Sequence, residues 1–156
     1  MSEATSFTIT LTQQQDYRFL IDFGDGLPNL LSDESPPVGH GEGPAPSHLL
    51  AAAVANCLSA SLLFALRKYK NHPEPLKSTA TVQMNRNAQG RLRIGHIAVS
   101  LEIGQPEDAL LHRERILSQF EDFCVVTQSV NQGIPVSVTV RDAEGQLLHE
   151  TRREAT

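Results

Sequence analysis

The chain has two residues that could carry redox chemistry, Cys57 and Cys124, its only cysteines. A thiolate with a second thiol beside it can reduce a substrate and then be recovered through a disulfide. Cysteine is also among the most buried residue types and often serves as a small hydrophobic residue. From the sequence alone, a redox pair and two inert packing thiols are therefore competing interpretations.

A reactive Cys57 would need a nearby positive charge. A free thiol titrates near ~8.5, and an apolar helix raises that pKa further, so a cation must favour the ionised form. Arg18 is the only lysine or arginine before Arg67, and it falls on a predicted strand. It is the candidate activator by position, and an ordinary exposed strand residue is the alternative interpretation.

Cys57 lies in a long apolar segment, 48–70, that predicts a helix. Pro46 precedes it, Ser47 is the predicted N-cap, and Pro73 prevents long continuation. One predicted core-facing stripe runs along it and comprises Leu50, Val54, Cys57, Ser61 and Ala65. Because the remaining faces are also largely apolar, we expect a central helix covered on all sides by protein.

The uncharged part of this segment, 49–66, reaches the lower length limit for a membrane span. It is rich in alanine and serine, contains Asn56, and has no aromatic residues flanking it as a belt. These features favour a helix buried in protein, and we expect no membrane association.

Strand patterns surround this helix and define the fold class. They occur at 6–12, 17–23, 78–85, 92–103, 136–141 and 147–151, with hairpin turns predicted at 87–90 and 142–145. An irregular loop is predicted at 24–46, an amphipathic helix at 106–120, and a short helical turn at 129–133. This order predicts a single α+β domain over 1–156, with helices packed on one face of antiparallel sheet.

Composition and charge exclude several functional classes. The net charge of −5 and the lack of a basic stripe argue against nucleic acid. The six histidines show no ligand spacing with either cysteine, so we expect no metal and no cofactor. The first residues lack the pattern of a secretory signal, which together with only two cysteines predicts a cytoplasmic location.

Two segments resemble the OsmC/Ohr family, the osmotically inducible protein C and organic hydroperoxide resistance proteins. The first is GEGPAPSHLLAAAVANC at 41–57, a glycine- and proline-rich loop that leads into an apolar helix carrying a cysteine. The second is CVVTQSVNQGIPVSV at 124–138, a cysteine followed by a polar turn and a final strand. Their order, their spacing and the hairpin between them agree with the family, so the resemblance covers nearly the whole chain.

The resemblance implies a thiol peroxidase. Cys57 would attack the peroxide bond and become a sulfenic acid, and Cys124 would resolve it to a disulfide. An external dithiol would then reduce that disulfide. The family also implies organic hydroperoxides as substrates and an intertwined homodimer that builds each active site from both subunits.

The sequence departs from the family at one supporting position. The family uses an arginine from an N-terminal strand, here Arg18 by region, held by a glutamate where this chain has Ser47. Serine cannot form a bidentate charged pair with a guanidinium, so the carboxylate would have to come from Glu42, or from Asp33 or Glu34. This departure supports a second hypothesis, an OsmC-like domain that binds a small apolar ligand or a partner without catalysis.

Overall fold

The computed structural model describes residues 5–133, 138–141 and 147–151. Within them the chain forms two compact units. Unit 1 comprises Met1–Ala55 and Ser78–Ser100, and unit 2 comprises Asn56–Lys77 and Leu101–Thr156. The fold is mixed α+β with antiparallel sheet, as the sequence predicts, and the single domain over 1–156 stays a prediction.

Unit 1 contains a three-stranded antiparallel sheet in the order β1-β2-β3. The strands are β1 (Thr10–Gln15), β2 (Arg18–Asp22) and β3 (Leu30–Ser32). Asp16 turns the chain between β1 and β2 with a positive φ of 52°, a conformation that aspartate tolerates better than most residues.

Two strand predictions in unit 1 need correction. The sequence predicts the first strand at 6–12, whereas β1 runs from Thr10 to Gln15. Every residue of β1 is exposed, so no hydrophobic alternation in the sequence marks where the strand begins or ends. The segment 24–46 was expected to be irregular throughout. It contains β3, whose three residues pair with β2 and are too few to show a period.

Helix α1 (Pro46–Lys68) begins one residue before the predicted cap. Proline suits the first helical position because its missing N–H would be unpaired there in any case. The residue preceding the helix is Ala45, whose N–H donates to Nδ1 of His48 at 3.0 Å, the reciprocal half of a capping box. Ser47 therefore lies in the first turn and is not the cap.

The buried stripe of α1 is rotated from the predicted one by a single residue, about 100° around the helix. Its buried residues are Ala51, Val54, Ala55, Leu58, Leu62 and Leu66. Cys57 and Ser61 were expected to face the core, but they lie beside this stripe and are half-buried. A helix that is apolar on every side lacks the period that would orient it, which is why the sequence could not choose the face.

The expectation that protein covers α1 on all sides is wrong for one copy of the chain. The helix is long and apolar enough to cross a membrane by length and composition alone, with a mean hydropathy of 2.1, and only 33% of that window is buried. The exposed residues include Ala52, Ala53, Ala60 and Phe64, the last 71% exposed. One copy thus leaves a substantial apolar face open.

The hairpin predicted between the two cysteines is confirmed. It consists of β4 (Lys77–Arg86) and β5 (Leu92–Glu102), which are neighbours in one sheet. Asn87 closes its turn, because its carboxamide oxygen accepts from the N–H groups of Gln89 (3.1 Å) and Arg91 (2.9 Å).

Unit 2 replaces the helix predicted at 106–120 with shorter pieces. A 3-10 turn at Glu107–Ala109 is followed by α2 (Arg113–Gln119), and His112 between them has a left-handed φ of 56°. The break has a tertiary cause, since the buried side chain of Asn71 binds both the N–H and the carbonyl of Leu111. Sequence periodicity does not register such a contact.

After a second 3-10 turn at Phe120–Phe123, α3 (Val125–Gln132) begins four residues earlier than the predicted turn at 129–133. The predicted closing hairpin is present as β6 (Val138–Arg141) paired antiparallel with β7 (Leu147–Thr151). Its predicted turn at 142–145 lies outside the described residues.

Candidate functional site

The two cysteines lie together in unit 2. Cys57 is half-buried within α1, and Cys124 is buried, with 0% of its surface exposed. Both are free thiols, and each shifts the pKa of the other, so the two side chains lie near each other. The fold therefore brings together two cysteines that the whole β4–β5 hairpin separates in sequence.

Cys124 is held by the start of α3. It has an extended backbone (φ −80°, ψ 96°) and occupies the N-cap position, where side chains face the free N–H groups of the first turn. The N–H groups of Val126 and Thr127 favour the ionised form of both sulfurs. Thr127 Oγ1 lies 3.0 Å from Cys124 Sγ and is hydrogen-bonded to it.

The surroundings of the two sulfurs move their pKa values in opposite directions. Burial raises the pKa of both thiols because it disfavours the charged form. For Cys124, hydrogen bonds from Cys57 and Thr127 outweigh burial and lower the pKa. For Cys57, donation to Cys124 adds to burial and raises the pKa further. The first proton of the pair is thus lost from Cys124.

A cavity of about 440 Å³ opens beside Cys57. All its lining residues belong to unit 2. Its apolar wall consists of Ala60, Phe64, Ala65, Ile116, Phe120 and Phe123, and its polar lining consists of Cys57, Ser61, Lys68, Tyr69, Arg115 and Gln119. A molecule in this cavity would meet Cys57, while Cys124 has no exposed surface of its own.

The basic lining of this cavity was not predicted from the sequence. Lys68 follows Cys57 by eleven residues, close to three helical turns, so the two lie on nearly the same side of α1. That spacing was available as a signal for Lys68. Arg115 reaches the cavity through the tertiary placement of α2, and the sequence carries no signal for it.

In unit 1, the predicted activator Arg18 forms an ion pair with Glu42 and a hydrogen bond with Gln15. The Arg18 side chain is 20% exposed, and its Nε is buried without a hydrogen-bond partner among the described residues. Glu42 thus supplies a carboxylate to this guanidinium, whereas Ser47 lies in the first turn of α1. This ion pair belongs to unit 1 and the thiol pair to unit 2.

The loop that carries Glu42 is organised by Asp33, which is 1% exposed. Its carboxylate accepts from the backbone N–H groups of Glu34 (2.8 Å), His40 (3.1 Å) and Glu42 (3.1 Å). Burial acts to raise the pKa of Asp33, but these three hydrogen bonds outweigh it and the pKa is lowered. Asp33, considered from the sequence as an alternative partner for Arg18, instead binds the loop backbone.

We expect Asp33 to stabilise the fold in a pH-dependent way. Because its pKa is lower in the folded state, its contribution is present above the unfolded pKa of roughly 3.9 and is lost as pH falls through the folded value. The difference in unfolding free energy between the wild type and Asp33→Asn should therefore shrink between about pH 6 and pH 3. Urea unfolding followed by circular dichroism measures it.

The matched control for this prediction is Asp25→Asn, which changes an exposed turn carboxylate in the same unit. It should leave the unfolding free energy nearly unchanged across the same pH range. A difference for Asp33→Asn that stays constant with pH would contradict the proposed role of the ionised carboxylate.

Two of the histidines make separate contacts and do not share a site. His40 Nε2 lies 3.1 Å from Asp16 Oδ2, and His48 caps α1. Among residues 5–133, 138–141 and 147–151, no three histidine, cysteine, aspartate or glutamate side chains come together as a group that could hold a metal.

Comparison with known proteins places the geometry in context. A family model described as OsmC-like protein matches residues 39–139, which include both cysteines and Glu42. A search of curated protein sequences finds no match.

Solved structures match most of the chain at low sequence identity. An OsmC-like protein of unknown function from Vibrio cholerae has a TM-score of 0.67 and 14% identity, covering 80% of this chain and 93% of that one. An organic hydroperoxide resistance protein from Legionella pneumophila has a TM-score of 0.60 and 17% identity, covering 81% and 91%. The organic hydroperoxide resistance protein of Bacillus subtilis has a TM-score of 0.58 and 15% identity, covering 80% and 89%. At such identity the likeness shows a shared fold.

Proposed function

Because this chain belongs to the OsmC-like protein family, we propose that it is a thiol-dependent peroxidase that reduces organic hydroperoxides. The observation that carries the proposal is the pair of neighbouring thiols, with Cys57 on a cavity wall and Cys124 fully buried. The names of the Legionella and Bacillus proteins support the substrate class.

The proposed reaction begins with the proton that the two sulfurs share. Cys57 becomes the nucleophile when that proton passes to Cys124. The Cys57 thiolate then attacks the peroxide, so that an S–O bond forms, the O–O bond breaks, and the alkoxide takes a proton from water to leave as the alcohol. The sulfur is oxidised to a sulfenic acid and the peroxide is reduced.

Cys124 completes the cycle in this proposal. Its sulfur attacks the sulfenic acid, an S–S bond forms, and the hydroxyl leaves as water with the proton that Cys124 held. An external dithiol reduces the disulfide and restores both thiols. The proximity of the two thiols, each of which shifts the pKa of the other, supports this step.

We also propose two further features that the family implies, an activating arginine and a homodimer. Arg18, held by Glu42, would supply the positive charge that favours the Cys57 thiolate. A second copy of the chain would cover the exposed apolar face of α1 and form a homodimer, in a cytoplasmic setting. The large apolar exposure of α1 supports the dimer, because monomers rarely leave such a face open.

The test is to add one equivalent of cumene hydroperoxide to the reduced protein and map its peptides without reduction. We expect a Cys57–Cys124 disulfide, and turnover with dithiothreitol far above that of the free thiol. In the same assay Arg18→Met should slow the reaction at neutral pH, whereas Arg67→Met should not, since Arg67 is paired with Glu74. Absence of the disulfide would refute the proposal.

The alternative is an OsmC-like domain that binds a small apolar ligand or a partner without turnover. It is favoured by the largely apolar cavity and by Ser47 at the position of the family glutamate. Under this alternative the protein would bind apolar molecules in the cavity, and one equivalent of peroxide would leave both thiols unchanged.

A further inference from the structure

The buried sulfur of Cys124 is in contact with a hydroxyl group that the proposed reaction does not use. Thr127 Oγ1 lies 3.0 Å from Cys124 Sγ, and the thiol donates a hydrogen bond to it. Because Cys124 has 0% of its surface exposed, bulk water does not take the place of this hydroxyl. Thr127 is therefore in a position to influence any reaction of this sulfur.

The local structure explains why these two side chains meet. Cys124 occupies the N-cap position of α3 with an extended backbone, and Thr127 is the third residue of the helix. Side chains at these two positions face each other across the first helical turn, as in a capping box. The branched side chain of threonine also restricts rotation about χ1, so the hydroxyl is held near the sulfur.

A hydroxyl group at this position suits both protonation states of the sulfur. It accepts a hydrogen bond from the neutral thiol, and it can rotate to donate its own proton when the sulfur is ionised. A hydrogen bond to a charged acceptor is about twice as strong as one between neutral groups. Burial acts against ionisation of Cys124, yet its pKa is lowered, and the Thr127 hydroxyl is one of the causes.

We propose that Thr127 is a catalytic residue of disulfide formation, whose hydroxyl orients the Cys124 sulfur and donates to the negative charge that develops there during attack on the sulfenic acid. In this step an S–S bond forms, the S–O bond of Cys57 breaks, and the proton of Cys124 leaves with the hydroxyl group as water. The sulfur that loses its proton gains the hydrogen bond from Thr127 as it does so. This role rests on the peroxidase function proposed above.

The same hydrogen bond has the opposite effect on the first half of the cycle. Cys57, the titratable group of α1 beside Cys124, becomes the nucleophile when Cys124 holds the proton that the two sulfurs share. A hydroxyl group that stabilises the ionised Cys124 opposes this arrangement, so Thr127 lowers the fraction of protein that carries a Cys57 thiolate. Thr127 thus favours capture of the sulfenic acid over rapid attack on the peroxide.

The test is the Thr127→Val variant, which removes the hydroxyl and keeps the branched shape. The reduced protein is mixed rapidly with one equivalent of cumene hydroperoxide, and acid-quenched samples are analysed by intact mass to separate thiol, sulfenic acid and disulfide. We expect the sulfenic acid to persist about tenfold longer than in the wild type, the scale of one hydrogen bond to a charged group. Consumption of the peroxide should be as fast as in the wild type or faster.

Three further variants separate catalysis from folding. Thr127→Ala removes the hydroxyl in a second way and should behave like Thr127→Val, whereas Thr127→Ser keeps it and should restore rapid disulfide formation. Ser129→Ala removes an exposed hydroxyl from the same helix and should react like the wild type. Disulfide formation in Thr127→Val at the wild-type rate would overturn the inference. Equal slowing of both half-reactions, which a merely structural defect would cause, would also overturn it.

A measurement without peroxide distinguishes failure of this inference from failure of the proposed function. In the Cys57→Ser background Cys124 is the sole thiol, and the ultraviolet absorbance of its thiolate is followed as pH rises. Adding Thr127→Val should raise the midpoint of this titration by about one pH unit, whereas adding Thr127→Ser should not. A protein without peroxidase activity could still show this shift. Conversely, an active peroxidase whose midpoint and rate of disulfide formation are unchanged by Thr127→Val would keep its function and lose the role of Thr127.

Discussion

Replacing Cys57 by serine is expected to lower kcat/KM for cumene hydroperoxide by at least about a thousandfold, because the hydroxyl is neither ionised near neutral pH nor able to accept oxygen from the peroxide. Peroxide consumption with dithiothreitol as reductant measures the loss. The substitution is nearly isosteric, so the cavity and the contact with Cys124 should be retained.

The matched variant is Cys124→Ser, which removes the buried sulfur instead. It should still consume one equivalent of peroxide and leave a sulfenic acid on Cys57 that dimedone traps, while no disulfide forms. It should also lower the pKa of Cys57, since a serine hydroxyl carries no negative charge to oppose ionisation of Cys57. If Cys57→Ser still consumed the first equivalent of peroxide and Cys124→Ser did not, Cys124 would be the nucleophile and Cys57 the resolving cysteine. The lowered pKa of Cys124 would then explain this reversal.

Replacing Asn71 by leucine is expected to cost about 2–4 kcal/mol of unfolding free energy, the range for a buried polar network left without one partner. Asn71 is 2% exposed. Its Nδ2 donates to the carbonyls of Leu66 (3.2 Å) and Leu111 (3.0 Å), and its Oδ1 accepts from Leu111 N–H (2.8 Å) and Gln105 (3.3 Å). Urea unfolding at neutral pH measures the change.

Asn131→Ala is the control for this prediction, because Asn131 is an exposed residue of α3. It should change the unfolding free energy by less than about 0.5 kcal/mol. Equal effects of the two substitutions would show that the Asn71 network contributes no special stability. Since Asn71 fixes the segment just before α2, its loss should also weaken binding in the cavity that Arg115 and Ile116 line.

Much of the architecture could be predicted from the sequence, because in those parts the local pattern of residues determines the structure. The family was recognised from the loop before Cys57 and the segment after Cys124, and the α+β class followed from strands in hairpins around one long helix. The β4–β5 hairpin was predictable because Asn87 and Gly90 are residue types that favour a tight turn.

The remainder depends on contacts between residues distant in sequence. The break before α2 is made by Asn71, and the rotation of α1 by one residue reflects packing on a helix with no polar face. The position of Cys124 at the start of α3 was not predicted either, because it follows a 3-10 turn that periodicity cannot resolve. These features decide which thiol meets the cavity and which one ionises first.

The complete burial of Cys124 near Cys57 affects how well the proposed peroxidase would resist inactivation by its own substrate. A sulfenic acid is destroyed irreversibly when a second oxidant molecule converts it to a sulfinic acid before a thiol captures it. Here the capturing sulfur is fully buried and lies near enough to Cys57 for each to shift the pKa of the other. Inactivation of the protein by high concentrations of peroxide should therefore be slow. When the reductant is exhausted, the protein would remain in the disulfide form, which can be reduced again.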